Sequence, residues 1–294
     1  MTRARDQRKG RGMLTNRSRF ASVWIILAAM LIGVAVGAFV LRPQAGSAGA
    51  GGGVAGFSRA VVLSHVNSPR RTPGFPGDPV FTLNTVFTVK DDGFYLRVVR
   101  EGEHTGTHYS APCHFHAKAI CAPGLHGRAL VLPAVVIDIR TQVAADPDYA
   151  ITVQDLMDWE TANGPMPAES AVLALTGCDA FWGPESRPSQ PNYYNCGTQG
   201  GFHQPGFTLE AVRWLVDGGV LAERGALGTD TFGPDPGTDP NFLESDLALR
   251  RHRMTLENLT NLEQLPAVGA WIVVGGPRNT KGSGAPGTIL ALVP

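Results

Sequence analysis

Apolar residues along this chain fall in short dense runs, separated by breaks rich in glycine and proline. The longest run, 20–41, holds no charged residue and has the length of a bilayer span. Beyond it the runs are shorter and their period varies. Residues 59–65 read as a first strand, and 80–89 and 94–99 alternate as strands divided by a turn at Asp91-Asp-Gly93. Residues 130–139 form a nearly continuous β-branched run, as expected of a strand buried on both faces. Thr152 starts a helix running to Trp159, with Asp155 completing a weak capping box. Residues 171–175 are a second buried strand. Thr208 caps a clearer helix, with Leu209, Val212, Leu215 and Val216 at helical spacing and Gly218-Gly219 as its stop. A short strand is expected over 226–229, a helix from 242 to about 253, and closing strands over 270–275 and 288–293. Strands and helices alternate irregularly, so the fold class is mixed α/β, without internal repeats.

The flanks of the long apolar run give the layout. Seven basic residues against one acid precede it, so 1–19 is expected to stay cytoplasmic and the rest to be exported. The run 20–41 is then a transmembrane anchor, or alternatively the core of a cleaved signal segment. Residues 42–56 form a Gly/Ala-rich linker, and 57–294 is a single domain with a sizeable core. The membrane, through 20–41, and a small-molecule substrate are the expected partners, and a homodimer is left open. The chain has no net formal charge and 17% charged residues. No basic cluster of nucleic-acid-binding type lies outside the N-terminus, so nucleic acid is not an expected partner. An extracytoplasmic domain with four cysteines allows two disulfides. Proximity favours Cys113–Cys121 and Cys178–Cys196, with buried free thiols as the alternative.

Candidate chemistry is concentrated in His104-Thr-Gly-Thr-His108-Tyr-Ser110-Ala-Pro-Cys-His114, which holds three of the eight histidines. Imidazole is the commonest metal ligand and general acid/base near neutral pH. On a straight strand, His104 and His108 would lie about 13 Å apart, too far to share an ion bound at about 2.1 Å. The segment must therefore bend, and Gly106 permits it.

This segment resembles HxGTHxDxPxH, the signature of the cyclase / kynurenine formamidase-like family of metal-dependent hydrolases. Other stretches resemble the same family in order: Val62-Leu63-Ser64-His65, Thr176-Gly177, Pro205-Gly206-Phe207-Thr208, Gly228-Thr229-Asp230-Thr231, Leu256-Glu257-Asn258-Leu259 and Gly282-Ser-Gly-Ala-Pro286. The resemblance implies a swivelling β/β/α, cyclase-like domain binding one or two divalent ions, usually zinc or manganese. It implies His104 and His108 as first-metal ligands, His114 as general acid/base and Glu257 as the second-metal glutamate. At the bridging aspartate this chain has Ser110, and at the second-metal histidine it has Ser245. Both replacements strike the same subsite, so one metal is expected and a second is not. Ser110, His116, His203 or Glu257 could complete the first site, and Asp246 could stand in for Ser245 only after a register slip. A metal-free site using His114 with Glu257 is also conceivable.

Around this centre, His203, Phe115 and Trp182 are candidate substrate-binding residues. Asp230 reads as a turn cap, and His252 with its arginine neighbours as a solvated helix face. The resemblance implies hydrolysis of a small amide, lactam or ester, with an arylformamidase of tryptophan catabolism (N-formylkynurenine to kynurenine) as the familiar activity. The rival is a non-catalytic binding protein that kept the pocket and lost the metal.

Overall fold

The computed structural model describes residues 56–69, 71–182, 191–198 and 200–294. The basic segment 1–19, the apolar run 20–41 and the linker as far as 55 lie outside the described residues. Among the described residues no helix is long and apolar enough to cross a membrane. The strands are β1 (Arg59–Val62), β2 (Thr82–Phe87), β3 (Leu96–Arg100), β4 (His108–Ser110), β5 (Val131–Asp138), β6 (Ala150–Ile151), β7 (Ala171–Leu175), β8 (Gly206–Phe207), β9 (Arg224–Thr229), β10 (His252–Glu257), β11 (Val268–Gly275), β12 (Gly284–Pro286) and β13 (Thr288–Val293). The helices are α1 (Val89–Asp92), α2 (Arg140–Ala145), α3 (Val153–Asn163), α4 (Pro191–Tyr194), α5 (Leu209–Asp217) and α6 (Leu243–Ala248).

Nine strands make one mixed sheet in the order β1-β13-β11-β5-β7-β9-β10-β4-β12. Its centre, β5-β7-β9-β10, is parallel, which requires long crossovers between neighbours. The helices supply them. Thr152 accepts from Asp155 N while Asp155 reaches back to the Thr152 backbone, closing the expected capping box of α3. Thr208 caps α5 through Ala211 N.

The two-residue period of β5 divides its side chains between two cores. Val135 and Ile137 pack with Leu156 and Trp159 of α3 and Val212 and Leu215 of α5. Leu132, Ala134 and Val136 point the other way, into a cluster with Leu173, Met254, Leu256, Ile272 and Ile289. That second cluster also takes Val61 near one sheet edge and Ala285 at the other, so the sheet curls around it. A single glycine, Gly287, separates β12 at one edge from β13 near the opposite edge. A Cβ on Gly287 would lie 2.1 Å from the Gly275 carbonyl oxygen, so the closure needs a residue without a side chain.

The stretch 242–253 departs from the expected helix. Only α6 is helical, and Arg251 turns the chain at φ +60° into β10. Arg253 is 3% exposed, and its guanidinium donates to the carbonyls of Leu221, Ala222, Leu247 and Ala248. His252 is also buried, its ring 3.9 Å from that of His126. The basic cluster is therefore not a solvated helix face: Arg253 stitches the α6 end to the β9–β10 edge. The expected strands 80–89 and 94–99 form a separate ladder, β2 with β3, joined through α1. Most of this hairpin is exposed, including Val86, Tyr95, Val98 and Val99. Cys113–Cys121 and Cys178–Cys196 are disulfide-bonded, the pairing that proximity favoured.

Replacing Gly287 by Ala should cost about 2–4 kcal/mol, because the new methyl meets backbone that cannot move without breaking the β11–β13 ladder. Chemical denaturation should show a lower midpoint with an unchanged slope. A midpoint equal to wild type would mean the closure does not depend on this contact.

Candidate active site

The sheet register assembles the centre. β4 and β10 are antiparallel, with His108 opposite Glu257 and Ser110 opposite Thr255. Directly opposed residues share a face, so these four polar side chains stand together. Tyr109 and Leu256, one residue along, are buried in the core behind them. On the other side of β4, β12 presents Gly284, whose Cβ would lie 2.3 Å from the Tyr109 oxygen and 2.8 Å from the His104 ring. The segment before β4 bends as its spacing required. Gly106 has φ +63°, and a Cβ there would meet the Asn67 side chain at 2.2 Å. The bend brings the His104 and His108 ring centroids to 5.1 Å. Two imidazoles sharing one tetrahedral ion need roughly 5 Å.

His108 Nδ1 lies 2.8 Å from the Gly106 carbonyl oxygen and donates to it, because a carbonyl can only accept. The other nitrogen, Nε2, is 3.0 Å from Glu257 Oε2 but not aligned for a hydrogen bond, and no other polar group satisfies it. The contact is held by charge. Burial opposes charge on His108, but the Glu257 carboxylate and the Gly106 carbonyl outweigh it and raise the pKa. Burial likewise opposes charge on Glu257. The field of His108, helped by the Thr255 hydroxyl, overcomes it and pulls the carboxyl down to about 2. Thr255 and Ser110 hydroxyls both donate to Glu257 Oε1, at 2.5 and 3.0 Å. A positive centre belongs between His108 and Glu257, and either a proton or a metal ion can be that centre.

His104 is neutral, its pKa lowered to about 3 by burial and then by the neighbouring histidines. Its Nδ1 is 3.1 Å from Ser110 Oγ, whose proton goes to Glu257. Nδ1–H is therefore the donor, and the lone pair sits on Nε2, 2.8 Å from Ser283 Oγ. Ser283 also reaches Glu103 Oε2 at 2.9 Å and has one proton for two acceptors. Both imidazoles thus point Nδ1–H at protein oxygens and leave Nε2 for a cation, the usual arrangement of metal-ligating histidines. With the anionic Glu257, these are the donor types that a divalent ion takes, although among the described residues they do not bring three ligand atoms within 4.8 Å of one another. His114 stacks on His104 with centroids 3.9 Å apart. Burial lowers its pKa, so it is a neutral base at pH 7. Neither of its ring nitrogens is hydrogen-bonded to a described residue.

These groups line a cavity of about 260 Å³. Its far wall is an aromatic arc in which Phe75 meets Phe232 and Phe242, and Phe242 meets Phe115, all at centroid distances of 5.8–6.3 Å. Phe115, expected at the substrate, is there; Trp182 and His203 are not among the lining residues. Trp182 stacks face to face on His65 at 4.0 Å. His203 Nδ1 is held 2.7 Å from Asp148, and its neighbour Gln204 lines the cavity instead. His116 and Asp246 pair with each other, and Asp246 also pairs with Arg250, so neither completes the metal set. Ser245 does line the cavity and donates both backbone N–H and hydroxyl to Asp235. Asp230 accepts from Thr176 and Gly177, tying the end of β9 to the end of β7 as a cap. Sequence reasoning missed Asp78, Asp235, Phe75, Phe232 and Phe242. Four of them sit in Pro/Gly-rich loops without periodicity, and Phe242 stands at the start of the expected helix, where it is the N-cap of α6. Asp78 is a carboxyl whose pKa burial raises.

Comparison with known proteins gives consistent matches. The model of the Cyclase family matches residues 61–236. An isatin hydrolase of Roseibium aggregatum is 33% identical over 198 residues, covering 66% of this chain and 73% of the relative. Two solved structures superpose closely. Isatin hydrolase A from Labrenzia aggregata, bound to benzyl benzoate, has a TM-score of 0.70 at 27% identity, over 80% of this chain and 93% of that one. Isatin hydrolase A from Ralstonia solanacearum has a TM-score of 0.69 at 30% identity, over 80% and 92%.

His65 carries a pH prediction independent of any metal. Burial lowers its pKa from 6.5 to about 4, so the native state holds it neutral where the unfolded chain protonates. Its contribution is complete above pH 6.5 and is lost as pH falls from 6.5 towards 4. In that window, denaturation of the His65→Phe variant should lose stability less steeply than wild type, by about one bound proton. Equal slopes would show that His65 titrates normally in the folded protein.

Proposed function

The chain belongs to the Cyclase family, and from that premise we propose that it is a divalent-metal-dependent hydrolase opening a small cyclic amide fused to an aromatic ring. The carrying observation is the facing pair of His108 Nε2 and Glu257 Oε2, a ring nitrogen and a carboxylate oxygen 3.0 Å apart at one end of a cavity with an aromatic wall. The likeness to isatin hydrolases favours a lactam over the open-chain N-formylkynurenine of an arylformamidase. Both share a planar aromatic body and one scissile C–N amide bond.

His104, His108 and Glu257 would hold one zinc or manganese ion, with Ser110 as their hydroxyl neighbour. When bound, such an ion polarises the amide carbonyl and makes water a better nucleophile. The protein's own groups do the rest. Glu257, pinned by the Ser110 and Thr255 hydroxyls, stays ionised and orients the centre. The aromatic arc holds the substrate ring by edge and face contacts and excludes water. His114, neutral and without a hydrogen-bond partner among the described residues, takes the proton of the attacking water and returns it to the departing nitrogen. The products are a carboxylate and an amine on the same aromatic ring. Ser110, in the bridging-aspartate position, and Ser245 remove one carboxylate and one imidazole from the second-metal subsite, which supports a single ion. The two disulfides support an oxidising compartment, and with it a domain held outside the cytoplasm by 20–41.

Full-length protein reconstituted with Mn²⁺ or Zn²⁺ should open isatin, followed spectrophotometrically, and a chelator should stop it. His114→Gln should lower kcat by about 10²–10⁴ with little change in KM. Phe232→Ala should chiefly raise KM. His108→Ala should lose both metal and turnover. Saturable isatin binding without turnover, under either metal, would overturn the hydrolase reading in favour of the binding protein.

A further inference from the structure

A second cluster of acids starts at Asp235 in the wall of the same cavity and runs through the loop between β9 and α6 into the first turn of that helix. Asp235, Asp239 and Glu244 each bring a carboxylate oxygen within 4.8 Å of the others. Asp235 is 3% exposed and Glu244 4%. Among the described residues, no ion pair joins any of the three to a basic side chain. Asp235 and Asp239 are oriented by their neighbours: Asp235 accepts from Ser245, and Asp239 from the backbone of Asn241 and Leu243 at 2.8 and 2.7 Å. Glu244 differs. Its Oε2 is closed off from solvent and accepts from no N–H or O–H donor, and burial together with the Asp235 and Asp239 carboxylates raises its pKa to about 8. A buried carboxylate oxygen without a donor is costly, and here two further carboxylates surround it. In the free protein a proton on Glu244 offsets part of this charge, the place a divalent cation could take.

We propose that Asp235, Asp239 and Glu244 form a calcium-binding site, distinct from the histidine centre. Three carboxylates without nitrogen or sulfur donors select a hard cation. Calcium–oxygen distances of about 2.3–2.6 Å put oxygens on opposite sides of the ion up to about 5 Å apart, which the cluster meets. Magnesium usually binds through one or two carboxylates and keeps several waters, so a dedicated group of three favours calcium. The ion would cross-link residues 235–244. This segment carries Phe242, part of the aromatic arc, and Asp235, which fixes Ser245. The site therefore braces the substrate wall without entering the reaction, and it stands whether or not the hydrolase reading is right.

The test is calorimetric titration of CaCl₂ into chelator-treated full-length protein, with thermal melts alongside. One calcium should bind per chain and the melting temperature should rise. Asp239→Asn and Glu244→Gln should each weaken binding at least tenfold, while His108→Ala leaves it unchanged. Asp239 is the less buried position, so its variant keeps the test valid if Glu244→Gln folds poorly. Absence of binding up to about 10 mM CaCl₂, above the weak range of extracellular calcium modules, overturns the proposal. So does binding that survives both carboxylate substitutions, binding lost in His108→Ala, or a preference for magnesium.

Discussion

The β4–β10 register places His108 directly across from Glu257, and the rest of the site depends on that one pairing. A slip of one residue would turn Tyr109 and Leu256 outward and bury the acid and the imidazole in the core. Apolar burial on the back of both strands forbids the slip. The register is therefore fixed by the hydrophobic face and spent on the polar one. Gly284 lets β12 close against β4, and Gly106 swings His104 back over the strand. Each of these glycines stands where a Cβ would collide with a neighbour.

The same pairing sets the electrostatics. A lone buried carboxylate would be driven to protonate and a lone buried imidazole to stay neutral. Side by side, each reverses the other's tendency: the His108 pKa is raised and the Glu257 pKa lowered, which favours the charged pair. Ser110 joins the arrangement as a neutral hydroxyl that donates to Glu257 and accepts from His104. An aspartate there would put a second negative charge beside Glu257 and call for a second cation to balance it. The serine lets a single positive centre satisfy the group. Nearby, Asp235, Asp239 and Glu244 stand together with no basic partner among the described residues, so charge balance is solved separately at two neighbouring places.

Much of this was legible in the residues. Strands β7 and β13 and helices α3 and α5 followed from period and capping, since for them local preference and tertiary burial agree. The histidine cluster was legible because it is contiguous and its ordered neighbours resemble a known family. Residues 242–253 were not. Their helical composition is overridden by Arg253, which finds four backbone carbonyls only in the folded chain. The aromatic arc was hidden because its members come from separate loops that only tertiary packing brings together. Trp182 and His203 looked suited to a substrate wall by type and position, but each has a nearer partner, His65 and Asp148.

The central claim is that the space between His108 and Glu257 belongs to one positive centre, a proton in the free protein and a metal ion in the loaded one. Its most direct test is the proton count on metal binding. Zinc titrations, in calcium-saturated full-length protein and in buffers of different ionisation enthalpy, measure that count below the raised pKa of His108. About one proton should leave per zinc bound, and Glu257→Gln, which removes the charge holding that proton, should reduce the release and weaken binding. Zinc binding without proton release, or release unchanged in Glu257→Gln, would contradict the account.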